Sequence, residues 1–220
     1  MQFSKETLTI LKNFSGINQN ILLKQGTLLK TISPQKNVMA SVTIPDEIPT
    51  DFHIYDLSEF LGALSLFENP SIEFTAKVAT ISEGSDCINF NAADPSVLLL
   101  PPDKNITFPQ PDVEFEMSAA NLTKILRTAS VLKANELSVI GEDGVLKLVV
   151  GDSKNSASNT FKITLGETDK TFRANLKIEN LKMINQDYTV SISSKKISRW
   201  VASSNDMTVY VALEATSSFA

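Results

Sequence analysis

Two stretches decide how this chain folds: Phe52-His53-Ile54-Tyr55-Asp56-Leu57-Ser58-Glu59-Phe60-Leu61-Gly62-Ala63-Leu64 and Phe172-Arg173-Ala174-Asn175-Leu176-Lys177-Ile178-Glu179-Asn180-Leu181-Lys182-Met183-Ile184. They are one pattern written 120 residues apart, with Phe52 answering to Phe172, Glu59 to Glu179, Leu61 to Leu181 and Leu64 to Ile184. The same shift carries Ile72 to Ile192, Ile81 to Val201, Asp86 to Asp206 and Phe90 to Tyr210. Nearer the two starts, Ser4, Leu8, Leu11 and Ile17 match Ser118, Leu122, Ile125 and Val131 at a shift of 114. A unit of helices and alternating strands is therefore duplicated, and quasi-symmetric blocks of this kind close naturally into rings.

Each copy reads as helix, hairpin strands, helix, hairpin strands. In the first, Ser4 is an N-cap, Leu8, Leu11 and Ser15 form an apolar-leaning face, and Lys5, Thr9 and Lys12 fall together on the opposite one. Residues 21–32 alternate around Gln25-Gly26 and residues 37–44 alternate again, the mark of antiparallel strands joined by short turns. Pro45 and Pro49 punctuate a loop, a second helix runs from about Asp56 to Asn69-Pro70, and strands follow at 71–82 and 87–91. In the second copy a helix spans 118–132, and strands at 136–141 and 145–150 flank Glu142-Asp143-Gly144, a strong hairpin signal. A strand at 160–165, a short helix over 175–184 and strands at 188–193, 197–202 and 207–214 complete it. The predicted fold is α+β: two similar domains, 1–92 and 113–220, of antiparallel sheet with two helices each. Five of the nine prolines fall within residues 93–112, so this segment reads as a stiff interdomain connector, and its Leu98-Leu99-Leu100 run as an apolar strip.

Composition narrows the function. At 220 residues, 42% hydrophobic and 20% charged, the chain is ordinary globular material, with no apolar run of membrane-spanning length and no N-terminal signal pattern. The single cysteine, Cys87, rules out an intramolecular disulfide and reads as a small buried hydrophobe on a strand. The single histidine, His53, lies in a strand pattern with no nucleophile or orienting partner suggested beside it, and one histidine with one cysteine makes a poor metal cage. Asp143, Asp152, Asp187 and Asp206 sit in turn contexts, and no phosphate-cradling glycine loop is present. No catalytic residue, metal or cofactor is expected.

A net charge of −5 argues against gripping nucleic acid by bulk attraction, so any DNA contact must come from local placement of a few cations. Lys5 and Lys12 share the outer face of one helix, and Lys124 and Arg127 occupy the equivalent helix of the second copy. Lys133, just beyond that helix, and Lys182, in the 175–184 stretch, complete the expected DNA-facing set. The expected partner-binding set is Leu98, Leu99 and Leu100 with Val211, Leu213 and Phe219 of the C-terminal strand region.

The chain resembles the DNA polymerase sliding clamp of T-even-type bacteriophages. The resemblance runs through Leu11-Lys12-Asn13-Phe14, Ile54-Tyr55-Asp56-Leu57, Phe60-Leu61-Gly62, Ala92-Ala93-Asp94-Pro95-Ser96, Phe108-Pro109, Leu165-Gly166 and Val211-Ala212-Leu213-Glu214-Ala215. Each match is short; their order and spacing are what is specific. The resemblance implies the DNA clamp fold, a homotrimeric ring with helices lining the hole, and a non-enzymatic role tethering the replicative DNA polymerase to duplex DNA. It implies loading by an ATP-dependent clamp loader, service to late-transcription factors, and action in the cytoplasm of the infected bacterial host. Two other classes compete: a single-stranded DNA-binding protein, which would hold linear oligonucleotides tightly, and a duplicated-domain structural virion protein, which would form open polymers. A carboxylate-dependent hydrolase would need divalent metal.

Overall fold

Alternation along the chain builds antiparallel sheet throughout. The computed structural model, which describes residues 1–220 except Asn105 and Ser156, divides into two units, Met1–Asn105 and Ile106–Ala220. The first unit runs α1 (Lys5–Ile17), β1 (Ile21–Leu23), β2 (Gly26–Ile32), β3 (Val38–Ile48), β4 (Phe52–Ile54), α2 (Leu57–Leu64), β5 (Ser71–Phe74), β6 (Val78–Glu83) and β7 (Asp86–Asn91), then a 3-10 turn at Pro95–Val97. β1 pairs with β4, β2 with β3, and β5, β6 and β7 form a meander. Phe52, Phe60 and Phe74 meet at its core with ring centroids 5.2 to 6.4 Å apart, and Phe90 stands edge-on to Phe60 at 5.1 Å. Burial of Phe52 and Phe60, both fully buried, and of Phe74 removes large apolar rings from water and stabilises the unit.

Three expectations for this unit change. β1 and β2 are not a hairpin about Gln25-Gly26: Gly26, at φ +104°, turns the chain so that β2 pairs with β3 and β1 is left to β4. Pro45 does not end β3, because the register shift between Gly26 and Leu28 lifts that stretch of β3 out of regular pairing, and a residue without an N–H is tolerated there. Cys87 is exposed, since β7 is the last strand of its sheet and the residue points away from the core.

The second unit runs β8 (Val113–Met117), α3 (Ala119–Leu132), β9 (Glu136–Glu142), β10 (Val145–Gly151), β11 (Phe161–Glu167), β12 (Phe172–Lys177), a 3-10 turn at Ile178–Asn180, β13 (Tyr188–Ser193), β14 (Ile197–Ala202), β15 (Thr208–Ala212) and β16 (Ser218–Phe219). One sheet has the order β11-β10-β9-β12-β16. In the other, β8 pairs with β13, β13 with β14, and β14 with β15, all antiparallel. Asp143 and Gly144, both at positive φ, make the tight turn between β9 and β10 that their sequence predicts. Trp200 and Tyr188, both fully buried, meet edge-on at 6.1 Å in the core.

The fold is α+β, but the two units do not carry two helices each. The helix expected over 175–184 is absent: residues through Lys177 belong to β12, hydrogen-bonded to β9, and only a 3-10 turn follows. The cause is chain length. Residues 55–70 link β4 to β5 and leave room for α2 and its return, whereas residues 178–187 are all that link β12 to β13.

Candidate nucleic-acid interface

Helix α1 owes its start to two side chains. Ser4 accepts the Thr7 N–H at 3.2 Å, and the Ser4 N–H and hydroxyl both donate to Asp46 Oδ2 at 2.8 Å. Burial alone would raise the Asp46 pKa, but the hydrogen bonds from Thr7 and Ser4 outweigh it and the net shift is downward. A lowered carboxylate pKa stabilises the fold above the unfolded value of about 3.9 and loses that contribution as pH falls through the folded value. Asp46→Asn is therefore expected to lower the melting temperature at pH 7 and to narrow its gap from the parent below about pH 4, in calorimetry across that range.

With α1 so anchored, Thr7, Ile10, Leu11, Phe14 and Ile17 are buried, and Lys5, Thr9 and Lys12 form an exposed stripe at spacings of four and three. Of the expected face Leu8, Leu11 and Ser15, only Leu11 is buried, and Thr7, Ile10, Phe14 and Ile17 join it. Leu8 and Ser15 are half-buried because they look into a groove of about 810 Å³ shared with Leu61, Leu64 and Phe67 of the α2 region. Gln19, beyond the end of α1, fixes the start of α2 by accepting the Leu57 N–H on its carbonyl and the Ser58 N–H on its side chain.

Helix α3 repeats the arrangement. Ser118 accepts the Asn121 N–H at 3.2 Å, Asp187 accepts that of Ala119 at 2.7 Å, and Leu122, Ile125 and Ala129 are buried. Lys124 and Arg127 are exposed on the opposite face, in a shallow depression with Thr123, Thr128 and Asn185. The Lys124 ammonium lies 5.2 Å from the Phe161 ring centre, which steadies its direction. Burial sets a register of 115 between the helices, pairing Thr7 with Leu122, Ile10 with Ile125 and Phe14 with Ala129, not the 114 of the two serine caps. In that register Lys12 answers to Arg127, while Val131, matched to Ile17 by sequence, is 80% exposed. Lys133 is exposed in the left-handed conformation that ends α3, about 14 Å along the axis from Lys124, and Lys182 is exposed after the 3-10 turn. α3 contains no carboxylate. Its exposed face can attract phosphate without offering like charge beside it. Thr128 falls on the outward face that the helical spacing predicts, whereas Thr123 and Asn185 were not anticipated, Asn185 because it comes from the link between β12 and β13.

The connector leucines Leu98, Leu99 and Leu100 are all half-buried. Leu100 and Pro101 wall a groove with Leu22 and Leu28, the latter 45% exposed, beside the Lys24–Asp103 ion pair at 3.1 Å. Val211 is fully buried and Leu213 nearly so, because the alternation of β15 turns Val209 and Val211 inward together; neither is free to meet a partner. Phe219 is half-buried and stacks on Phe172 at 5.9 Å with the rings 9° from parallel. Leu22 and Leu28 were missed by sequence reasoning, although each is an apolar residue at an outward position of its alternating strand.

A family model described as DNA polymerase processivity factor matches residues 4–99, and one described as gp45 sliding clamp, C terminal, matches residues 114–215. The sliding clamp of Vibrio phage KVP40 is 31% identical over 223 residues, which cover 98% of this chain and 100% of the relative. That of Enterobacteria phage T4 is 31% identical over 203 residues, covering 89% and 88%. The PCNA of A. fulgidus, solved with the C-terminal region of FEN-1 bound to it, superposes with a TM-score of 0.69 at 13% identity over 96% of each chain, a likeness of fold. No helix among the described residues is long and apolar enough to cross a membrane.

Proposed function

The chain belongs to the sliding-clamp family of T4-type phages, non-enzymatic processivity factors of DNA polymerase, and we propose that three copies close head to tail into a ring around duplex DNA. The observation that carries this reading is that both units expose a basic helix stripe, Lys5 and Lys12 on α1 and Lys124 and Arg127 on α3, in a chain of net charge −5. A ring of three copies bears −15, three times −5, so its exterior repels DNA while the stripes, joined by Lys133 and Lys182, soften that repulsion in the hole. Among the described residues three copies supply nine α-helices, and three non-helical 178–184 segments take the remaining places of twelve. At about 10 Å each these give a circumference of roughly 120 Å and a hole of order 28 Å, wide enough for duplex and water. Few, water-separated phosphate contacts leave binding weak and sliding easy, and retention comes from topology.

The strands β7 and β11 support the head-to-tail contact. Each is the last of its sheet, and each leaves its inward apolar residues, Ile88 and Phe90 on one and Phe161, Ile163 and Leu165 on the other, only half-buried. An unpaired edge of this kind is completed by another strand. Residues 93–112 serve as the connector between domains 1–92 and 113–220. Its leucines, with Leu22 and Leu28, form the dry patch where the polymerase docks. A clamp loader opens and closes the ring, late-transcription factors share the docking patch, and the work is done in the cytoplasm of the infected host.

Sedimentation equilibrium tests the reading: the expected mass is three times 24.1 kDa, with negligible binding to short open-ended duplexes. A monomer at every concentration, or firm binding to such duplexes, would falsify it. Cys87 on β7 supplies a second measurement. Lys162→Cys or Thr164→Cys on β11 is expected to give a three-chain disulfide-linked species on mild oxidation, and linked dimers alone would contradict a closed circle.

A further inference from the structure

The backbone of Leu99 is held at both its N–H and its carbonyl. Its N–H donates to Asn20 Oδ1 at 3.2 Å, and its carbonyl accepts from Asn18 Nδ2, also at 3.2 Å. Neither asparagine has slack to give. Asn18 Nδ2 also donates to the Ile32 carbonyl at the end of β2 at 2.9 Å, and Asn18 Oδ1 accepts the Asn20 N–H at 3.0 Å. Asn20 Nδ2 donates to the Tyr55 carbonyl at 2.8 Å. Asn18 is itself the C-cap of α1, its N–H donating to Phe14 O, and it is 7% exposed. An Asn-x-Asn pair directly after α1 thus ties the two peptide groups that flank Leu99 to the end of β2 and to the residue that follows β4.

We propose that Asn18 and Asn20 are positioning residues for polymerase docking: by fixing the Leu99 backbone they hold the Leu98-Leu99-Leu100 strip in its binding geometry. This rests on the reading that the connector leucines form the docking patch. Leu98 is extended, at φ −95° and ψ 137°. Successive side chains on an extended backbone point to opposite sides, so fixing Leu99 fixes the side on which Leu100 meets Leu22 and Leu28. A tethered strip binds without first having to be ordered, and its loss is felt in affinity. The proline-rich connector is also held at Ala93, whose N–H donates to the His53 carbonyl, and at Asp103, which accepts from Lys24 and Lys30, so the two asparagines fix the strip between these points with side chains that can accept and donate at once.

The test measures binding of the cognate DNA polymerase to clamp loaded on circular DNA for the parent, Asn20→Ala, Asn20→Asp and Leu100→Ser. Asn20→Ala is expected to weaken the polymerase about tenfold, as for loss of an ordered hydrogen bond, with three-copy assembly intact and faster exchange of the Leu99 amide. Asn20→Asp keeps an oxygen for that N–H and is expected to retain most of the affinity. If Leu100→Ser abolishes binding while Asn20→Ala binds like the parent, this inference fails and the docking reading stands. If Leu100→Ser binds like the parent, the docking reading itself fails. Asn20→Asp losing as much as Asn20→Ala overturns the positioning role, and should Asn20→Ala not assemble, Asn20→Gln, which keeps the amide but displaces it by one methylene, takes its place: weakened polymerase binding is expected, and parent-like binding overturns the inference.

Discussion

A clamp carrying Lys5→Glu, Lys12→Glu, Lys124→Glu and Arg127→Glu is expected to assemble normally and to load onto nicked circular DNA about a hundredfold less well. Four substitutions in each of three copies reverse twelve groups, every one on an exposed helix stripe. Each reversal changes the charge by two, so the proposed ring falls from −15 to −39. A weakening of only about 1.5-fold per group, modest beside a surface ion pair, compounds over twelve to about a hundredfold. Solvent-facing positions tolerate such changes, so the melting temperature is expected to stay within a few degrees of the parent. Salt separates this cause from misfolding. Screening weakens attraction and repulsion alike, so loading of the parent declines as salt rises while that of the variant improves. Parent-like loading by the variant would remove the two stripes from the DNA interface. The double variant Lys5→Glu with Lys12→Glu is expected to be intermediate.

The residues that made this interface legible were the ones that local rules govern. Ser4 and Ser118 start helices because a hydroxyl satisfies an orphan N–H, a matter of four consecutive residues. The Asp143-Gly144 turn and the alternation of β13, β14 and β15 are equally local. What the sequence hid was decided by competition between distant segments. The 175–184 stretch has the apolar spacing of α2, yet Asn175, Leu176 and Lys177 are claimed by pairing with Ser138, Leu137 and Glu136, and too little chain remains for a helix. Pro45 looked like a loop because the bulge that accommodates it depends on Gly26, far along the chain. The core face of α1 was misjudged by about one residue because Leu8 and Ser15 line a groove toward α2, which no pattern within α1 records. The exposed stripes survived that error because charge, unlike partial burial, marks the outer face directly. In the proposed docking patch, Leu100 was readable as an apolar residue in a connector, but its companions Leu22 and Leu28 come from strands whose outward faces only the fold brings to it.

Gly141→Ala is expected to destabilise the second unit by about 1 to 3 kcal/mol, the range of overpacked core sites, and Gly141→Val by more. Gly141 lies on β9, between β10 and β12, directly opposite Phe172. A methyl group there would sit 2.5 and 2.7 Å from two carbons of the Phe172 ring and would also collide with the Lys170 carbonyl. The ring cannot step aside easily, because Phe172 is 5% exposed and stacks on Phe219. It covers the glycine as an aromatic cross-strand neighbour does, so the missing Cβ is itself part of the packing. Against a total stability of roughly 5 to 15 kcal/mol, the loss should lower the melting temperature by about 10 °C. Combining Gly141→Ala with Phe172→Leu is expected to recover part of the loss, since the ring clash is relieved while the Lys170 carbonyl still intrudes. Gly62→Ala is the control of opposite sign: nothing lies within 4 Å of its added methyl, and a helix gains up to about 1 kcal/mol from the change. Because β9 and α3 belong to one unit, unfolding at Gly141 also removes Lys124 and Arg127 from the proposed DNA-facing stripe. Loading of Gly141→Ala should therefore collapse near its lowered melting temperature and be normal well below it. A parent-like melting curve for Gly141→Ala would mean that Phe172 and the Lys170 peptide can retreat from β9, against the close packing seen around them.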